Sequence, residues 1–84
     1  MKIRVRWHGK NGLEFSGSSH DEIIKQMRDN PALPQFQQKS NWAYMAGVSS
    51  RASTFYGVEI PYYRSADFLR ALAKAGIIEL EEEI

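Results

Sequence analysis

The sequence predicts an α+β domain: a small three-stranded sheet in the order 2-1-3, first strand central, packed on one face by three helices in the chain order ββααα(β). Three observations carry this. The first seven residues alternate apolar with basic, residues 78 to 81 alternate apolar with acidic, and three segments between them have helical spacing with recognisable end signals. At 84 residues the chain (1–84) has the size of one domain with a modest core.

Met1, Ile3, Val5 and Trp7 fall on one face of the first strand, and Lys2, Arg4, Arg6 and His8 on the other. Leu13-Glu14-Phe15-Ser16 alternates in the same way and supplies the second strand. Asn11-Gly12 suits a two-residue hairpin turn, but that pairing puts Phe15 on the charged face. A three-residue loop, Lys10-Asn11-Gly12, pairs Trp7 with Phe15 and sets His8 opposite Glu14. A one-residue slip would invert every side chain, so the sequence favours the three-residue loop.

Ser19-His20-Asp21-Glu22 fits a capping box, with Ser19 as cap and Glu22 reaching back. Ile23, Ile24 and Met27 then form one apolar stripe, and Asn30-Pro31 ends the helix. Up to the break at Pro31-Ala32-Leu33-Pro34, this ββα opening resembles the start of the ubiquitin-like β-grasp fold. The resemblance implies a helix packed on one face of the sheet.

Ser40 to Tyr56 admits two readings. As one long helix ended by Gly57, it places Trp42, Met45, Ala46, Ser49, Ala52, Ser53 and Tyr56 on one face. Tyr44, Val48, Arg51 and Phe55 gather on roughly the opposite face. A helix apolar on two sides is sandwiched in a core or offers one side to a partner. In the other reading, Ala43 and Met45-Ala46-Gly47-Val48-Ser49, followed by a helix from Ser65 to Gly76, resemble the repressor-type helix-turn-helix family. That resemblance implies a tight turn at Gly47 and a nucleic-acid-binding regulator built on residues 40–76, using Arg51, Arg64 and Arg70. The segment Ser49 to Tyr56 carries one base, Arg51, and Ser53 falls where a second helix would need a branched apolar residue.

Val58-Glu59-Ile60-Pro61 reads as a short strand or an extended loop, since Pro61 blocks further pairing. Ser65 caps the third helix, Asp67 favours its positive end, and Gly76 closes it. Phe68, Leu69 and Leu72 form its buried stripe. Ile78 and Leu80 then alternate with Glu79 and Glu81, which reads as a third strand.

All eleven Lys and Arg precede Ile77, against six of the ten Asp and Glu; the last eight residues hold four glutamates and no base. With the first strand central, Glu79, Glu81 and Glu83 come to lie on the same face as Lys2, Arg4 and Arg6. Opposite charges facing across strands contribute about 0.2–1 kcal/mol per pair. The basic row therefore reads as the internal counterpart of an acidic strand, rather than as a surface for phosphate.

The absence of cysteine excludes disulfides and thiolate metal sites, and makes a reducing, cytoplasmic location the expectation. No apolar run nears the roughly 20 residues that span a bilayer, so no membrane partner is expected. His8 and His20 are the only histidines; neither has metal-ligand spacing, and no serine has a His or Lys at a helical spacing that would activate it. No cofactor, metal or catalytic residue is expected.

The candidate contact residues are instead aromatic. Tyr62-Tyr63-Arg64 follows Pro61 in a connection, and Tyr and Arg are enriched at binding hot spots. The Tyr44, Val48, Arg51 and Phe55 side of the long helix adds a second patch if nothing covers it. The sequence thus points to a non-enzymatic interaction module that binds another protein or itself, with the nucleic-acid-binding regulator as the alternative.

Overall fold

The computed structural model describes residues 1–8, 13–30 and 40–83. Six elements follow one another: β1 (Lys2–Trp7), β2 (Glu14–Gly17), α1 (His20–Asp29), α2 (Asn41–Tyr56), α3 (Ser65–Lys74) and β3 (Ile78–Glu83). The strands form one antiparallel sheet in the order β2-β1-β3, with β1 central. The Lys10–Gly12 loop and the Pro31–Pro34 break lie outside the described residues.

The alternation in β1 settles the two faces of the sheet. Ile3 and Val5 are fully buried, whereas Lys2, Arg4 and Arg6 face out. Against β3 the register is Lys2 with Glu83, Arg4 with Glu81 and Arg6 with Glu79, as the charge pattern implies. Against β2 the predicted register is corrected. Val5 pairs with Phe15 and Arg6 with Glu14, and the Trp7 amide donates to the Leu13 carbonyl at 3.1 Å. Glu14 therefore sits opposite Arg6, not His8. A slip of two residues leaves every side chain on its own face, so facing alone could not choose between these registers.

In α1, Ser19 caps by accepting from the Glu22 amide at 3.1 Å. The Glu22 carboxylate reaches back one residue further than a capping box requires, accepting from the Ser18 hydroxyl at 3.0 Å. Ile23, Ile24 and Met27 are buried, as their spacing implies.

α2 is one continuous helix, capped by Ser40 and ended by Gly57 at φ 67°. It runs through Ala46-Gly47-Val48 without a turn, which removes the helix-turn-helix geometry from residues 41–56. Gly47 is a helical residue in its interior. α2 packs chiefly on α1, while α1 and α3 lie against the strands.

Val58–Pro61 forms no strand, but Ile60 is buried in the core. Ser65 is the first residue of α3 rather than its cap; its hydroxyl donates to the Asp21 carboxylate and ties α3 to α1. The end of α3 is a Schellman motif. The Gly76 amide donates to Ala73 and the Ile77 amide to Leu72, both at 3.0 Å, with Gly76 at φ 79°. This turn feeds the chain directly into β3. Phe68, Leu69 and Leu72 join Ile3, Val5, Ile24 and Ile78 in one contiguous core. Fully burying an aliphatic or aromatic side chain of this kind contributes about 1.5–3 kcal/mol. No helix among the described residues is long and apolar enough to cross a membrane.

Candidate functional site

The outer face of the sheet is electrically closed. Arg4 lies 3.3 Å from Glu81 and Arg6 3.8 Å from Glu79. Glu79 also meets His8 Nε2 at 3.6 Å, and His8 Nδ1–H donates to the Gly76 carbonyl at 2.7 Å. All these side chains are about half exposed, so each pair contributes only about 0–1 kcal/mol to stability. Their larger effect is on the surface field: the basic row meets carboxylates instead of presenting bare charge.

Glu82 is the exception among the terminal glutamates. It pairs with Ile3 and so faces the helices, where its side chain is only 17% exposed. Arg70 donates to it from Nε at 3.1 Å and from Nη2 at 3.0 Å, and His20 Nε2–H donates at 3.1 Å. The Arg70 hydrogen bonds hold the Glu82 carboxyl below its usual range; burial opposes this and His20 reinforces it. Arg70 is thereby engaged in fastening α3 to β3. His20 is engaged in fastening α1 to the same strand.

The seven predicted contact residues separate into two groups on different sides of α2. Tyr62, Tyr63 and Arg64 belong to the first. The Ser49 hydroxyl donates to the Ile60 carbonyl at 2.6 Å and holds the returning chain against α2. That contact sets the Tyr62 ring edge-on to Trp42, with centroids 5.7 Å apart, and Tyr63 stacks on Tyr62 at 5.3 Å. Trp42 is 59% exposed and Tyr63 81%, with Arg64 exposed beside them. The three rings form a ridge between two shallow grooves, one along Ser49, Ser53 and Pro61, the other along Asp21, Asn41 and Ser65.

Tyr44, Val48, Arg51 and Phe55 belong to the second group, and they do not form the exposed patch expected of them. Tyr44 is fully buried, which corrects its assignment as a surface contact. Val48 is half-buried; Arg51 and Phe55 are exposed, with the guanidinium carbon 5.3 Å from the Phe55 ring centroid. These four line a cavity of about 660 Å³ together with Trp7 and His8 at the end of β1, Ala52 and Tyr56 on α2, and the turn Ala75–Ile77. Among the described residues, two buried side-chain polar atoms lack a hydrogen-bond partner, Trp7 Nε1 and Tyr44 Oη, and both belong to residues of this cavity wall. Burial pushes the Tyr44 phenol well above the ordinary tyrosine range.

Trp42 and Tyr56, which the helical spacing sets on one face with Met45 and Ala52, are mostly exposed, whereas Met45 and Ala52 are buried. The signal that could have found the two exposed rings is their position: each sits within one turn of an end of α2. No group of His, Asp and Glu capable of holding a metal occurs among the described residues. Together these features define a small α+β domain with an aromatic ridge on one side of its long helix and a half-open cavity on the other. Compared with known proteins, the chain matches no family model, no curated protein sequence and no solved structure.

Proposed function

We propose that this chain is a non-enzymatic interaction module that binds another protein, or a second copy of itself, through the ridge of Trp42, Tyr62, Tyr63 and Arg64. The observation that carries this reading is the ordered exposure of the ridge. Trp42 is 59% and Tyr63 81% exposed, and both rings pack against that of Tyr62. Rigid aromatic surface costs little conformational entropy on binding, which is why Tyr, Trp and Arg dominate hot spots. Two further observations support it. Both histidines are engaged in hydrogen bonds within the fold, leaving neither as a free general base. The basic row of β1 is matched by glutamates, and Arg70 by Glu82, which weakens the nucleic-acid-binding alternative.

The test compares wild type with the double variant Trp42→Ala/Tyr63→Ala. Its readouts are solution mass across concentration and recovery of one defined protein from host extract, identified and then rebound in purified form. The expected result is a complex, with itself or with that protein, that the double variant loses while keeping its fold. A wild-type chain that stays monomeric and binds no purified candidate would overturn the proposal. So would oligonucleotide binding whose affinity falls steeply with salt.

A further inference from the structure

We infer that the outer edge of β3 is a second binding surface, which takes up an extended segment of another protein in which lysine or arginine alternates with apolar residues. The partner adds a fourth strand to the sheet, beside β3. This surface shares no residue with the aromatic ridge and goes beyond the interaction role proposed for it.

The backbone of β3 is open on one side. In an antiparallel pair, residues bonded across the ladder alternate with residues whose N–H and C=O point away from it. The His8 amide donates to the Ile77 carbonyl, one step beyond the Trp7–Ile78 pair and in the same register. The residues of β3 that bond to β1 are therefore Glu79, Glu81 and Glu83. Ile78, Leu80 and Glu82 turn their N–H and C=O groups the other way, to an edge that no strand occupies among the described residues. Nothing else among those residues bonds them. The opposite edge of the sheet differs. β2 is only four residues long, and its outward Ser16 carbonyl already accepts from the Gln26 side-chain amide at 2.8 Å. A strand edge with unpaired backbone groups is a template for an added strand, and β3 supplies the longer and barer one.

Charge selects the occupant. A strand laid along β3 sets its outer-face side chains beside Glu79, Glu81 and Glu83. The Glu79 and Glu81 side chains are 58% and 64% exposed, so each carboxylate can meet a second cation besides Arg6 or Arg4. Glu83 forms no ion pair among the described residues. Arg4 and Arg6 sit one strand further off, roughly 10 Å from the newcomer, which is about the Debye length in 0.1 M salt. The nearest field is therefore acidic, and like charges directly opposite are destabilising. That disfavours β3 of a second copy, which would set glutamate against glutamate. It also disfavours β2 of a second copy, which carries Glu14 and has its Ser16 carbonyl engaged.

The inner face sets the alternate positions. Ile78 is buried and Leu80 half-buried, so the residues that come to lie beside them are apolar. The Glu82 carboxylate is already met by Arg70 and His20, and only its backbone is on offer. β1 is the precedent within the fold. Its Lys2, Arg4 and Arg6, alternating with Ile3 and Val5, occupy the other side of the same strand.

Alternate amides of β3 report on the edge. Full-length ¹⁵N-labelled protein is titrated with a capped peptide alternating lysine with valine, and amide exchange is followed along β3. At saturation the Leu80 and Glu82 amides should exchange about tenfold more slowly, while those of Glu79 and Glu81, already bonded to β1, should not change. Two further peptides separate backbone from charge. One N-methylated along its pairing edge should not bind, and a glutamate–valine peptide should bind at least about tenfold more weakly. Glu79→Gln/Glu81→Gln/Glu83→Gln should weaken the lysine–valine peptide about tenfold, roughly twofold for each cross-strand pair. Equal binding of the lysine and glutamate peptides, or undiminished binding of the N-methylated one, would overturn the inference. So would protection that falls on Glu79 and Glu81 instead, protection of Leu80 and Glu82 before any peptide is added, or no response up to about 1 mM peptide. The comparison of peptides on wild type stands without the variant, so a poorly folded triple variant would not rescue or sink it.

Discussion

Replacing Tyr44 by Phe should make the protein more stable, although Tyr44 is among its largest fully buried side chains. One atom decides the sign. The Tyr44 hydroxyl is hydrated in the unfolded chain and has no partner in the folded one. Leaving a buried donor unmet costs about 1–3 kcal/mol, and the substitution removes that cost while keeping the ring. Against it stand the lost contacts of one oxygen, a few atom pairs at about 0.1–0.2 kcal/mol each. The net gain is on the order of 1 kcal/mol. For a domain of this size that raises Tm by roughly 4–8 °C. Calorimetry at neutral pH, checked by a urea titration with unchanged slope, measures it. A lower Tm for Tyr44→Phe would refute the reasoning, because it would mean that the hydroxyl has a partner in the fold.

A double-mutant cycle on Arg4 and Glu81, each truncated to Ala, should return a coupling of only about 0.5 kcal/mol, since both side chains are at least half exposed; a coupling above about 2 kcal/mol would show a buried interaction there instead. The Glu82 carboxyl is held below its unfolded value, so between the two values the unfolded chain binds the extra proton and stability rises with pH. Its contribution is complete above roughly pH 4.3 and is lost as pH falls through the folded value. Glu82→Gln should therefore flatten the acid limb of a Tm–pH profile and lower the plateau above it; an unchanged acid limb would place the acid sensitivity elsewhere.

The sheet was legible because its information is one-dimensional. Alternation in β1 and β3 fixes which side chains face the core, and matching signs then fix β1 as the centre with Glu79, Glu81 and Glu83 beside Arg6, Arg4 and Lys2. What alternation cannot fix is a slip by two, and the β1–β2 register differs from the predicted one by that amount. Helix ends were legible where a side chain or a left-handed residue does the capping, as at Ser19, Ser40, Gly57 and Gly76. Ser65 misled because a serine before an apolar stripe looks like a cap, while its hydroxyl is drawn off to Asp21 on α1, a contact far away in sequence. Glu82 was hidden by composition: in a run of three glutamates, only parity distinguishes the one that turns inward.

The two faces of α2 were the least legible part, and the reason bears on function. Both faces of the helix carry aromatic rings, so periodicity alone does not select the buried arc; the neighbours do. Tyr44, Met45 and Ala52 are buried, an arc that straddles the boundary between the two predicted faces. At about 1.5 Å per residue a sixteen-residue helix is roughly 24 Å long, against about 15 Å for α1 and α3. The rings at the two ends of α2, Trp42 at one and Phe55 with Tyr56 at the other, are mostly exposed. Solubility would favour lysine or glutamate at such ends. Instead both ends carry exposed rings, Trp42 beside the stacked Tyr62 and Tyr63 at one, and Phe55 with Tyr56 at the other. With the sheet's outer face neutralised by its own glutamates, these two ends of α2, together with the open edge of β3, are where this domain has surface to offer.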